Sequence, residues 1–181
     1  MTQREMSSMH DILSPDQCIA LLEKAGCSNE VINHCKAVRD VAIRIAKCTH
    51  ANMKLVEAGA LLHDIGRSKT HGIHHAIEGA RIAESYGLPN EIVRIIERHI
   101  GAGLSADTAA SLGLPRKEYI PETLEEKIVC HADNLLDDCT RQPIEHEVEQ
   151  ALIDGKKEYA MQLIKLHHEL SMLCGKDLNI L

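Results

Sequence analysis

His63-Asp64 closes a short stretch, Met53 to His63, that is apolar almost all round through Leu55, Val56, Ala58, Ala60, Leu61 and Leu62. That is the pattern of a central buried helix. No Lys or Arg lies on its apolar side to compensate Asp64, and a carboxylate is costly to bury without a cation. A hydrogen-bonding pair at a helix end would account for the dipeptide alone. Its partners point further. His34 sits beside the apolar stripe of Val31, Cys35 and Val38, and Asp133 between Val129 and Leu136. His75 opens one helical pattern and His99 closes another. His-His-Asp-Asp is a hard-to-borderline donor set suited to a transition metal or magnesium. Six such groups suffice for two ions with open positions and one bridging carboxylate. Ions so held make water nucleophilic near neutrality and offset the charge of a phosphoryl oxygen.

The elements that must position these groups all read as helices. Ser14-Pro15-Asp16-Gln17 is an N-terminal signature, and Gly26 ends that helix. A second runs from Ser28 to about His50, with Val31, Ile32, Cys35, Val38, Val41, Ala42 and Ile45 at helical spacing. Residues 65–73 read as a polar loop. His74 to Tyr86 is a helix stopped by Gly87. Pro89 opens the next, which carries Ile92, Val93, Ile95, Ile96 and His99. The glycines and prolines of 101–121 suggest a lid or specificity loop, free to move, in which Ala106 to Leu112 forms a turn or two. Thr123-Leu124-Glu125-Glu126 is a capping box starting a helix through about Asp138. An amphipathic stretch then runs from Pro143 to Cys174, with a break at Asp154-Gly155. No strand alternation is present. The expected fold is all-α, one domain of about seven or eight helices. Residues 1–27 form an N-terminal extension, 28–140 the metal-bearing domain, and 141–181 helices that pack on it, with homodimerisation their second candidate role.

Composition limits the partners. The 181 residues carry a net charge of −7, which argues against a phosphate-backbone binder. There is no Phe or Trp, and Tyr86, Tyr119 and Tyr159 are the aromatics, so a base-stacking platform is missing. No apolar run approaches the roughly 20 residues of a membrane span, and Met1 to His10 lacks the apolar core of a secretory signal. The seven cysteines, at 18, 27, 35, 48, 130, 139 and 174, include no Cys-x-x-Cys. They read as reduced thiols of a cytoplasmic protein. A small anionic substrate fits better than a nucleic-acid polymer or a membrane.

His34 … His63-Asp64 … Asp133 resembles the HD superfamily of metal-dependent phosphohydrolases, and Leu61-Leu62-His63-Asp64-Ile65-Gly66 looks like its "LLHDIG" signature. The resemblance spans roughly residues 30–140 and implies the HD-domain fold. His75-Ala76-Ile77-Glu78-Gly79-Ala80 looks like the "HxxxGA" element of the binuclear members, and Arg98-His99 like their next histidine. Lys127 to Asp133 resembles their closing "KIxxxAD" helix. Together these resemble the small single-domain HD hydrolases that cleave nucleotides. By that resemblance His34, His63, Asp64 and Asp133 hold one ion, and Asp64, His75 and His99 the other, with Asp64 bridging at the catalytic centre. The implied ions are divalent or mixed-valence transition metals: iron or manganese first, then nickel, cobalt, zinc or magnesium. Arg67 stands where many relatives have lysine. With Lys69 it is expected either to clamp substrate phosphates or to be a solvated loop charge. The "HHE…GYP" and "HDxxED" patterns of other HD branches are absent, and mononuclear HD nucleotidases lack the two extra histidines. Mixed-valence di-iron HD oxygenases share the ligand set, and a non-catalytic regulatory module with a structural metal is a third reading.

The remaining residues have plainer expectations. His75 is preferred to His71 or His74 for its spacing to Gly79-Ala80. His131 is expected on the surface or in packing, and His10, His50, His146, His167 and His168 in solvent. Arg98 is expected to pair with Glu97 or Glu91, ahead of clamping substrate phosphate. Asp137, four residues after Asp133, is expected either to orient a ligand histidine or to end the helix.

Overall fold

The structure, a computed structural model, describes residues 12–181. Those residues contain nine α-helices: α1 (Pro15–Ala25), α2 (Asn29–Lys47), α3 (Met53–Leu62), α4 (His75–Ser85), α5 (Asn90–Glu97), α6 (Ala106–Ser111), α7 (Leu124–Asn134), α8 (Ile144–Ile153) and α9 (Lys157–Cys174). The fold is all-α, as expected, with nine α-helices among the described residues rather than seven or eight. The secretory-signal exclusion over Met1 to His10, and most of the N-terminal extension before Pro15, fall outside the described residues.

Side chains fix the helix starts. Ser14 and Gln17 form the full capping box, and Ser28, Asn52, Ser105 and Thr123 each accept a hydrogen bond from a backbone N–H three residues on. At Thr123 the box is half closed. Glu126 turns away to accept from the Glu122 N–H at 2.8 Å and from Arg98 at 3.0 Å.

α3 is the centre. Seven of its ten residues are buried, and α1, α2, α5 and α7 pack around it. Gly59 lets α5 close in: a Cβ there would stand 2.7 Å from Ile95 Cδ1. The core continues into α8 and α9 through Ile144, Leu163, Leu166 and Leu170, so the C-terminal helices complete it. No described helix is long and apolar enough to cross a membrane.

Several expectations change. Residues Ile65–Ser68 form a 3-10 turn rather than loop. α7 stops at Asn134, and a two-residue hairpin follows, Leu136–Asp137 (β1) antiparallel to Thr140–Arg141 (β2). Asp138 turns it at φ 55°, a conformation that Asp tolerates better than most residues. Segment 101–121 is pinned rather than lid-like. Tyr119 is fully buried with Ile77, Ala109 and Leu114, and Leu104 and Tyr119 exchange backbone hydrogen bonds. Arg98 pairs with Glu122 and buried Glu126, not Glu97 or Glu91. The cysteines are not all free: Cys48 and Cys174 form a disulfide. They lie 126 residues apart, and only the fold-back of α9 brings the two helix ends together.

Candidate metal centre

Five elements deliver the six groups. His34 lies in the second turn of α2, His63 caps the C-terminus of α3, and Asp64 follows it into the 3-10 turn. His75 is the first residue of α4, His99 lies just past α5, and Asp133 is in the last turn of α7.

Two glycines make this assembly close. A Cβ on Gly66 would fall 1.8 Å from the His75 carbonyl oxygen and 2.5 Å from the Gly79 nitrogen, and one on Gly79 would fall 3.2 Å from the Gly66 nitrogen. The 3-10 turn and the first turn of α4 therefore cross backbone on backbone. The glycines of "HDIG" and "HxxxGA" serve this single contact, which brings His75 to Asp64.

The histidines are oriented alike. His34 Nδ1 donates to the Asp138 carbonyl at 2.6 Å, His63 Nδ1 to Ala60 at 2.8 Å, His75 Nδ1 to Gly72 at 2.8 Å and His99 Nδ1 to Ile96 at 2.6 Å. A carbonyl only accepts, so each Nδ1 carries a proton and each ring turns its Nε2 inward. Those Nε2 atoms meet two carboxylates. Asp64 Oδ2 lies 3.7 Å from His34 Nε2 and 3.7 Å from His63 Nε2, and Asp133 Oδ1 lies 3.0 and 3.7 Å from the same atoms. Asp64 Oδ1 turns the other way, 3.2 Å from His75 Nε2 and 3.5 Å from His99 Nε2. Asp64 thus stands between two groups of donors.

The electrostatics call for a cation. His63 Nε2 and Asp64 Oδ1 are buried without a hydrogen-bond partner, and the His75 and His99 Nε2 atoms are 2.9 Å apart. Burial pushes His63 down to about 4, against the pull of Asp64 and Asp133. Burial also works to lower His34, but its hydrogen bond to Asp133 and the charge of that carboxylate lift it to about 9. Burial would raise Asp64, yet His63, His75 and His99 hold it far below the ordinary carboxylate range. An orphaned nitrogen, an orphaned carboxylate oxygen and two Nε2 atoms facing each other fit metal ions, which would satisfy all of them at once.

The other predicted residues are placed as follows. Arg67 Nε hydrogen-bonds Asp64 Oδ2 and lines a cleft of about 350 Å³ over the cluster, with His34, Ser28, Glu30 and His71. Lys69 is exposed on the far end of the turn and outside that lining. His74 packs outward, within 3.3 Å of the Gly113 carbonyl. Asp137 lies exposed in β1 and orients nothing; the Asp138 carbonyl takes that role at His34. A main-chain acceptor leaves no mark in side-chain patterning, which is why the sequence does not show it. His131 is fully buried and pairs with His167 at 3.0 Å, and His167 with Asp177 at 3.1 Å. His167 is therefore not merely solvated.

The HD domain family model matches residues 31–138, a span that holds all six groups. The chain belongs to the HD-domain superfamily of metal-dependent phosphohydrolases. This HD chain is 45% identical over 164 residues to a tRNA (cytidine(56)-2'-O)-methyltransferase of Picrophilus torridus, covering 91% of this chain and 48% of that protein. It is 46% identical over 167 residues to the protein of the same name from Thermoplasma volcanium, covering 91% and 49%. The HD chain thus spans about half the length of these curated relatives. Among solved structures it resembles the HD domain of the Listeria monocytogenes phosphodiesterase PgpH in complex with cyclic-di-AMP. The TM-score is 0.54 at 18% identity, covering 88% of this chain and 96% of that one, a likeness of fold.

Proposed function

We propose that this HD chain hydrolyses a phosphodiester or phosphoanhydride of a small nucleotide, with two transition-metal ions at the cluster. The observation that carries the reading is the convergence of four inward Nε2 atoms on two carboxylates, with Asp64 turned to both sides. His34, His63, Asp64 and Asp133 would hold one ion, and Asp64, His75 and His99 the other, iron or manganese before nickel, cobalt, zinc or magnesium. Such ions, when bound, supply an activated water and offset the charge on phosphate. The chain's residues do the rest. The Nδ1 bonds to main-chain carbonyls fix the donor set, and burial of His63, Asp64, His75 and His99 excludes bulk water from the inner side. His34 and Asp64 line the cleft. Arg67, which lines the cleft beside Asp64, would bind substrate phosphate there.

The bound cyclic dinucleotide of the PgpH structure supports a nucleotide substrate. The methyltransferase name belongs to proteins about twice this length, and a cluster of imidazoles and carboxylates suits metal-assisted hydrolysis, not methyl transfer. The test uses the full chain purified without chelator and supplemented with manganese or iron. Metal per chain is measured beside cleavage of bis(p-nitrophenyl) phosphate, linear and cyclic dinucleotides, and tRNA. The expected result is two metals and nucleotide cleavage abolished by His63→Ala and by Asp64→Asn. Oxygen uptake without phosphoester cleavage, or cleavage unchanged in both variants, would overturn it.

A further inference from the structure

α9 is apolar on two opposite sides. Ala160, Leu163, Leu166 and Leu170 face the core. At about 100° per residue, Met161, Ile164, His168 and Met172 fall on the opposite side within an arc of roughly 80°. There Met161 is 64% exposed, Ile164 53% and Met172 69%. A surface helix ordinarily carries its charges opposite the core; this one presents two thioethers and an isoleucine there, with Lys157 only in its first turn. Their spacing of three, four and four residues is that of a helix–helix seam. Beside the seam, α8 leaves Leu152 and Ile153 exposed at 51% and 79%. Between the two helices runs a groove of about 770 Å³, lined by Ile144, Val148, Ile164 and Met172 among others.

We propose that this face binds a second copy of the same chain, α9 packing antiparallel against its twin. The order of residues selects this occupant. Met161 and Met172 are equidistant from the point between Leu166 and His167, with Ile164 and His168 inside them. A two-fold axis there sets each Met161 against the Met172 of the twin, as a self-complementary contact between identical surfaces requires. Methionine adapts its shape readily and fills the groove of the facing helix pair. The exposed apolar side chains of α8 and α9 would remove on the order of 600 Å² per copy, and a polar rim brings this to the roughly 800 Å² per partner of stable interfaces. The seam lies away from the residues lining the cleft, so the dimer stands independently of the catalytic reading.

Light scattering on the full chain at about 50 µM tests the assembly, expected at twice the 20.0 kDa of one chain. Ile164→Glu and Met172→Glu are expected to give single chains with unchanged helical circular dichroism. A cross-linking experiment fixes the register in a Cys139→Ser background. Met161→Cys chains mixed with Met172→Cys chains are expected to join by a disulfide. Met161→Cys chains alone are not, because eleven residues of helix hold those positions about 16 Å apart. A 20.0 kDa species throughout, or self-linking of Met161→Cys as efficient as the mixed pair, overturns the proposal.

Discussion

Gly66→Ala tests the physical reason for the metal centre. The added methyl group would lie 1.8 Å from the His75 carbonyl oxygen and 2.5 Å from the Gly79 nitrogen. Both obstacles are backbone, so no rotamer relieves them, and the 3-10 turn must separate from α4 by more than an ångström. Overpacking of this kind costs about 1–3 kcal/mol, roughly a 3–10 °C fall in melting temperature for a chain of this size. The displacement also acts on the site. His75 is the first residue of α4 and now stands 3.2 Å from Asp64 Oδ1; moving its turn outward opens the donor set on that side. A misplacement of about an ångström costs on the order of 100-fold in rate. Differential scanning calorimetry, metal titration and phosphodiester turnover on the same preparation measure all three. Gly79→Ala is the milder companion, since its nearest obstacle is the Ile96 side chain at 2.7 Å, which has some room to turn. Gly66→Ala protein with unchanged melting temperature, metal stoichiometry and turnover would refute the backbone-crossing account.

Other outcomes follow from the same structure. Reductant, or Cys48→Ser, is expected to destabilise the protein by about 4–5 kcal/mol, the loop-closure value for a 126-residue separation; an unchanged melting temperature would argue against the Cys48–Cys174 bond. Brief alkylation at pH 8 is expected to label exposed Cys139 first. Burial, which pushes Cys18 up to about 12 and Cys35 and Cys130 well above the ordinary thiol, should protect those three until denaturant is added. Peptide mass spectrometry showing Cys35 labelled as fast as Cys139 would sink the packing described for α2. Glu126→Ala leaves Arg98 to Glu122 alone and removes the acceptor of the Glu122 N–H; it is expected to cost about 1–3 kcal/mol, read by urea denaturation, whereas an unchanged midpoint would mean the pair is dispensable. Chelation is expected to lower the melting temperature, and excess manganese to restore it in proportion to the logarithm of its concentration; a melting curve indifferent to both would count against metal at the cluster.

The sequence exposes some of this and hides the rest for definable reasons. His34 and Asp133 stand out because they sit within apolar stripes, His63, Asp64, His75 and His99 because they stand at the ends of apolar helices, and the structure brings all six together. The caps at Ser14, Ser28 and Thr123 are legible because they are local. The pairing of Gly66 with Gly79 is not local: each glycine is visible, but only their crossing explains both. The Asp138 carbonyl has no side-chain signature. Arg98 has acidic neighbours in sequence yet finds Glu126 across the fold, and Cys48 meets Cys174 only because α9 doubles back. The loop 101–121 looks mobile by its glycines, but Tyr119 anchors it, and one buried aromatic outweighs that local freedom.

The hairpin after α7 has a mechanical consequence. His34 takes its orientation from the Asp138 carbonyl, 104 residues downstream, in the turn that leads directly into α8. On the other side, Tyr159 of α9 packs on Gly101, two residues past His99. The C-terminal helices therefore grip the cluster at two opposite corners, like the two handles of a clamp. A load applied to them, by a docked partner or by additional chain, bears on the angle of two imidazoles and, through Asp138, on the wall of the cleft.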